Sequence, residues 1–296
     1  MDRSKEISDF LRTRRAAISP ERAGLAPDGR ARRVPGLRRD EVARLAGVST
    51  EYYTRLEQGR SGNPSPQVVE ALSRALRLDT SEAEHLGDLL LTRPGSVRRA
   101  PIRPQRVRPG LFLMLETLDH VPAFILGRRT DVLASNRLAR AVLTDFEALP
   151  AQRRNLARYY LLDPQARERV GDWERIAAET VAILRLEAGR HPDDRRLAEL
   201  VGELTLLSPE FPGWWNDHKV LRRTHGAKRY AHPLVGEMDF AYESFQVPGD
   251  AEQTLCVYSV EPGSRTAEAV RLLRSWVTPP TVPGPAVEPA ARGDAV

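Results

Sequence analysis

Residues 37–60 read LRRDEVARLAGVSTEYYTRLEQGR, two short helical segments separated by a glycine. The first runs from about Arg39 to Ala46 and offers Val42, Ala43, Leu45 and Ala46 as its inward, apolar side. Gly47 supplies the permissive backbone that a helix needs where it stops short, and Val48 fills the angle between the two segments. Ser49 is a good N-cap for the second, since its hydroxyl accepts one of the orphan N–H bonds of a helix start. Tyr53 and Leu56 lie three apart and face inward, leaving Thr50, Glu51, Tyr52, Thr54, Arg55 and Gln58 on the outside. A short helix that presents polar side chains at an exposed N-terminus suits the DNA major groove. An ordinary helical hairpin is the bland alternative, because A-x-x-x-G-V occurs in unrelated helix pairs.

The stretch resembles the helix-turn-helix of the XRE, or Cro/phage-repressor, family through Glu41, Ala43, Leu45, Gly47, Val48, Ser49, Tyr53, Arg55, Leu56, Glu57 and Gly59. The resemblance implies an all-α, five-helix, lambda-repressor-like domain. It places Thr50, Glu51 and Arg55 at base-reading positions and Arg38, Arg39, Gln58 and Arg60 where phosphates are contacted. An arginine at position 55 can bond a guanine edge twice, worth roughly 1–3 kcal/mol of discrimination. Glu51 either accepts from a cytosine amino group or stabilises the helix start by its charge. Glu57 is a poor DNA contact, and the resemblance implies an inward structural ion pair with Arg15.

A chain of 296 residues is comfortable for two domains. Residues 1–108 hold 22 Lys/Arg against 14 Asp/Glu, and the rest holds 23 against 26. A basic first part beside a mildly acidic remainder suggests that one domain meets a polyanion and the other does not. Cys256 is the single cysteine, which excludes an internal disulfide and a thiolate cluster and fits a reducing compartment. No apolar run is long enough to span a bilayer, and MDRSKEISDFLRTRR lacks a signal-peptide core. A cytoplasmic, nucleoid-associated protein without membrane contact is expected.

Around the motif, Ile7, Phe10, Leu11 and Ala17 mark a first helix, and a long loop from Ser19 to Gly36 carries Arg30, Arg32 and Arg33. Val68, Val69, Leu72, Ala75 and Leu76 mark a fourth helix, and Ser81 is expected to cap a fifth bearing Leu86, Leu89 and Leu90. The first domain is therefore assigned to residues 1–93. Residues 94–109 hold four prolines and five arginines with no acid, the composition of an interdomain linker. Its arginines can add phosphate attraction that is blind to sequence.

The second domain, residues 110–276, mixes helices and strands. Leu111–Leu118 reads as a helix, and Pro122–Leu126 and Asp131–Ser135 as two strands. Asn136 is placed to cap a helix through Leu143. Asp163–Pro164 opens a long helix by the N-cap and Pro-at-N1 rule, with Trp173, Ile176, Ala177, Thr180, Val181 and Leu184 as its stripe and Gly189 just past its end. Leu197–Leu207 is another helix. Strands follow near 226–231, 236–247 and 253–260, the middle one alternating Met238, Phe240 and Tyr242 inward. Val247–Glu252 reads as a hairpin loop, Ser264 caps a closing helix, and residues 277–296, with five prolines, are expected to lack a packed structure. This α+β plan, a small antiparallel sheet with helices over one face and helical insertions, is PAS-like, and such sheets often enclose a ligand.

The runs ILGRRTDVLASNRLARAVL, HGAKRYAHPLVGEMDF and LCVYSVEPGS resemble the C-terminal domain of MmyB-type transcription regulators. The resemblance implies a DNA-binding bacterial regulator with a small-molecule sensor behind its helix-turn-helix.

Other chemistry finds little support. His218, His225 and His232 recur at sevens across a helix-to-strand change, which places them on no common face and matches no metal-ligand spacing. No G-x-S-x-G elbow, phosphate-cradling glycine loop or compact acid–base pair is present, so neither metal, cofactor nor catalysis is expected. Cys256, between Leu255 and Val257, reads as core. Phe124, Leu133, Trp214, Trp215, Phe240, Tyr242 and Tyr258 are candidate pocket residues for an apolar or fatty ligand, and each is equally plausible as plain core. Arg128, Arg129, His225 or Lys228 are available to meet an acidic head group. The expected assembly is a homodimer on an inverted-repeat operator of double-stranded DNA. The alternative is a second domain that serves protein interaction or dimerisation and takes no small molecule.

Overall fold

A computed structural model of the protein describes residues 3–25, 36–60, 63–91, 105–222 and 224–277. The first half holds α1 (Arg3–Ala16), α2 (Arg39–Ala46), α3 (Thr50–Glu57), α4 (Pro66–Ala75) and α5 (Thr80–Leu90). Their core is built from Phe10, Leu11, Val42, Ala43, Tyr53, Leu56, Leu72 and Leu86, all essentially inaccessible. Gly47 ends α2 in the left-handed region (φ 65°), as a stop at that point requires. The Ser49 hydroxyl accepts from the Tyr52 amide at 3.1 Å.

Two expectations need correction. Leu45 is 38 % exposed, because Val42, Ala43 and Ala46 already fill the inward arc of so short a helix. The cap of α5 is Asp79, whose carboxylate accepts from the Glu82 amide while Glu82 bonds back to the Asp79 amide. This reciprocal pair outcompetes a serine two places later. Arg30, Arg32 and Arg33, most of the 94–109 segment and the tail from 278 onward lie outside the described residues.

The second half begins with α6 (Pro109–Thr117), followed by β1 (Ala123–Leu126), β2 (Val132–Ser135) and α7 (Arg137–Val142). Asn136 caps α7 through the Ala139 amide at 2.9 Å. A helical layer follows, comprising α8 (Leu156–Leu162), α9 (Pro164–Arg169), α10 (Trp173–Arg190), α11 (Arg195–Leu207) and α12 (Phe211–Asn216). Then come β3 (His225–His232), β4 (Gly236–Val247), β5 (Asp250–Ser259) and the closing α13 (Arg265–Val277). The strands form one antiparallel sheet in the order β2-β1-β5-β4-β3.

The long helix expected from Asp163 is two helices. Val170 bridges to Tyr230, the Gly171 amide donates to the Arg229 carbonyl at 2.9 Å, and Asp172 adopts φ 53°. The edge of the sheet thus takes a backbone donor that a continuous helix would need. Gly189 does not follow α10 but lies within it, buried. The Val247–Glu252 loop shrinks to a tight turn, since Val247 already pairs with Asp250. Nor are the helices confined to one face. Phe124, Tyr230, Met238, Phe240, Tyr242 and Tyr258 pack beneath α7, α8 and α13, whereas α6 covers Ala123, Ile125, Ala134 and Leu255 on the other side.

The two halves dock through α10. Leu186 of α10 and Val220 complete the core of the helical domain. Arg185, 3 % exposed, pairs with Glu6 of α1 at 2.8 Å. Arg190 reaches Glu84 and Asp88 of α5, each at 3.2 Å. The segment between α12 and β3 adds further links: the Arg222 amide donates to the Ser81 hydroxyl, the Arg222 guanidinium pairs with Glu84, and Arg14 donates to the His218 carbonyl.

Candidate functional site

On the outer surface of the helical domain, Thr50, Glu51 and Arg55 of α3 are exposed together, as are Gln58, Arg60 and Arg39 around them, and Arg38 is half-buried. The Thr54 hydroxyl turns back to the Thr50 carbonyl. The polar side of α3 is therefore held open, at the start of a capped helix whose N-terminal dipole favours an approaching anion.

Behind this surface lies Glu57, 2 % exposed. Arg15 grips it with two bonds, Nε to Oε2 at 2.7 Å and Nη2 to Oε1 at 3.1 Å. Arg39 adds a third bond from Nε at 2.8 Å. Burial alone would raise this carboxyl, but the hydrogen bonds and charge of Arg15, then Arg39, outweigh it and hold it below the usual carboxylate range. Arg39, read from the sequence only as a phosphate contact, thus also orients α2 against α3, with its side chain still 46 % exposed.

The seven pocket candidates do not come together. Phe124, Phe240, Tyr242 and Tyr258 share the core beneath the sheet. Leu133 lies on the opposite face under α6, beside Ala134. Trp214 and Trp215 belong to a separate cluster around α10, α11 and α12. There Trp215 stacks on Phe211 and carries the Arg185 guanidinium 4.5 Å above its ring. Of the head-group candidates, Arg129 is held by Asp131 and Asp194, and Arg128 pairs with Glu252.

His225 and Lys228 are placed differently. Lys228 is 7 % exposed, and its ammonium donates to the Tyr160 hydroxyl at 2.9 Å. It lies 5.0, 5.4 and 5.8 Å from the ring centres of Tyr160, Tyr242 and Tyr258. The hydroxyls continue from Tyr160 to Tyr230 (3.0 Å) and on to Tyr258 (2.8 Å). Burial, above all, pushes the Tyr230 and Tyr258 hydroxyls well above their usual range, so both remain neutral.

Tyr242 also lines a cleft of about 290 Å³ with Arg175 and Glu179 of α10, Leu221, Arg222 and His225. A second cleft of similar volume opens between α8, α9, the start of α10 and Pro209–Glu210, where Arg167 lies over Trp173 and pairs with Glu210. The sequence reading missed Tyr160, Arg175, Glu179 and Arg222. A signal was present for part of the network, since Lys228 and Tyr230 stand two apart in a strand and must share a face.

Residues 107–273 match the sequence model of the MmyB-like transcription regulator ligand binding domain. The chain belongs to that family. A helix-turn-helix domain matches residues 6–86, so the protein is a DNA-binding transcription regulator with a ligand-binding domain behind its helix-turn-helix. No curated protein matches the chain. Among the described residues of the regulator, no group of three or more His, Cys, Asp or Glu is arranged to hold a metal, and no helix is long and apolar enough to cross a membrane.

Proposed function

We propose that the regulator senses a small acid with an apolar body in the cleft between α10 and the 221–225 segment, and that occupancy changes how the sensor docks on the DNA-binding domain. The observation that carries this reading is Arg222. Arg222 lines the cleft, and its side chain pairs with Glu84 of α5, so a ligand there sits beside the contact that orients the helix-turn-helix. The Lys228 ammonium behind Tyr242 supplies the cation for a carboxylate, and Tyr242 and Leu221 supply apolar surface. The mechanism is a population shift, in which the ligand favours one docking arrangement over another. Thr50, Glu51 and Arg55 read bases, and Arg38, Arg39, Gln58 and Arg60 hold phosphates. The regulator acts by binding alone, without catalysis, in the cytoplasm and as a homodimer on an inverted repeat.

The test uses decanoate as the probe. It should raise the melting temperature of the wild-type protein with the logarithm of its concentration once above Kd, and Lys228→Met should shift that response to at least tenfold higher concentration. A series of fatty acids that leaves the melting temperature unchanged would remove the small-acid reading. A second reading, a protein partner for the sensor, draws on Leu206 and Leu207 at the end of α11, 85 and 63 % exposed. It would then take the lead.

A further inference from the structure

The cleft beside α9 shows by its own contents what chemistry it takes. The Arg167 guanidinium lies 4.0 Å from the centre of the Trp173 ring and pairs with the Glu210 carboxylate. An indole face on one side and a carboxylate on the other recognise an organic cation. Asp163 adds a second carboxylate to the lining, with one oxygen accepting from the Gln165 amide at 2.9 Å. Leu162, Pro164 and Pro209 supply apolar wall, and the space between them, about 290 Å³, suits a small molecule.

Arg167 is a loosely held occupant. Its side chain is 55 % exposed and that of Glu210 30 %, and an ion pair so open to water contributes little to stability. A free cation with an apolar body makes the same two contacts and also covers the apolar wall, which still lines open space with Arg167 in place. The position is connected as well. Trp173 is the first residue of α10, the helix that docks on the DNA-binding domain, and its indole N–H donates to the Tyr160 carbonyl at 2.6 Å. The Tyr160 hydroxyl in turn accepts from the Lys228 ammonium. A ligand on the Trp173 face therefore touches the docking helix at its start.

We propose that this cleft is a second ligand site of the regulator, for an organic cation that carries an amine or guanidine on an apolar body, and that Arg167 fills the cation's place until such a ligand displaces it. The site stands apart from the cleft at Tyr242 and does not depend on the small-acid reading.

Isothermal titration calorimetry on the full chain with hexylguanidinium tests it, with hexylurea as the neutral compound of nearly the same shape. Hexylguanidinium should bind once per chain, and hexylurea at least tenfold more weakly. Glu210→Gln should weaken hexylguanidinium at least tenfold. Arg167→Ala should tighten it at least fivefold, because that variant removes the competitor and leaves the carboxylate. Loss of a merely structural arginine would not give that sign. Both substitutions are at exposed or half-buried side chains, and an unchanged melting temperature without ligand verifies that each variant is folded. Equal binding of hexylurea, a Glu210→Gln variant that binds as the wild type does, or an Arg167→Ala variant that binds no more tightly would each overturn the proposal. So would the absence of binding to both the wild type and Arg167→Ala. None of these outcomes bears on the response to decanoate.

Discussion

Arg55 and Arg60 stand five residues apart on the same exposed surface, and we propose different work for them. In that proposal Arg55, within α3, meets base edges, and Arg60, beyond its end, meets the backbone. Arg55→Ala should therefore relax sequence preference, losing roughly 1–3 kcal/mol of discrimination at one base pair. Arg60→Ala should weaken all sequences alike and reduce the salt dependence by about one phosphate contact. Binding to selected and random DNA across a salt series separates the two, and equal effects of both variants would remove the assignment. The inner side of the motif was legible through its resemblance to a family, which paired Glu57 with Arg15. The third partner, Arg39, was not legible, because residues 18 apart in sequence meet only once α2 and α3 have packed.

At the scale of the element, α10 carries most of what sequence reading could not reach. Gly189 looks like a stop signal at the end of a helical stripe. It lies inside α10, and a Cβ there would sit 2.3 Å from Cε1 of the His85 ring, so the missing side chain makes room for the other domain. His85 is fully buried edge-on against Phe10, and neither ring nitrogen has a hydrogen-bond partner among the described residues. Burial, then the charge of Arg185, pushes its pKa down to about 3. The same causes lower His218 to about 4, where Arg185 donates to its Nδ1 and Glu6, Asp9, Arg12 and Arg14 face it from α1. Both rings are neutral in the folded protein and ordinary, near 6.5, once it unfolds. Their share of the stability is thus fully present above about pH 6.5 and is lost as pH falls from there toward 4 and then 3. The melting temperature should drop between pH 7 and pH 5, and His85→Leu should flatten that drop. A wild-type midpoint that stays level across the same range would contradict this view of the contact.

Over the whole molecule, alternation and capping rules located the strands of the sheet, and composition separated a basic half from an acidic one. The helical layer between β2 and β3 was harder. Its short helices begin and end where the sheet edge or a neighbouring domain takes their backbone groups, as at Val170–Asp172, and local spacing carries no record of such partners. The same blindness scattered the expected pocket, because Trp214 and Trp215 signal an apolar site equally well in any core. Together the fold forms a path from the cleft at Tyr242 and Arg222, through α10, to α1 and α5 of the DNA-binding domain. The most direct test of that path measures operator affinity by fluorescence anisotropy, with and without decanoate, in the wild type and in Arg190→Glu, which sets a negative charge against Glu84 and Asp88. The ligand should shift wild-type affinity severalfold, and Arg190→Glu should lose that shift while keeping the decanoate-induced rise in melting temperature. An undiminished shift in the variant would show that the ligand acts on DNA binding by some route other than the docked α10.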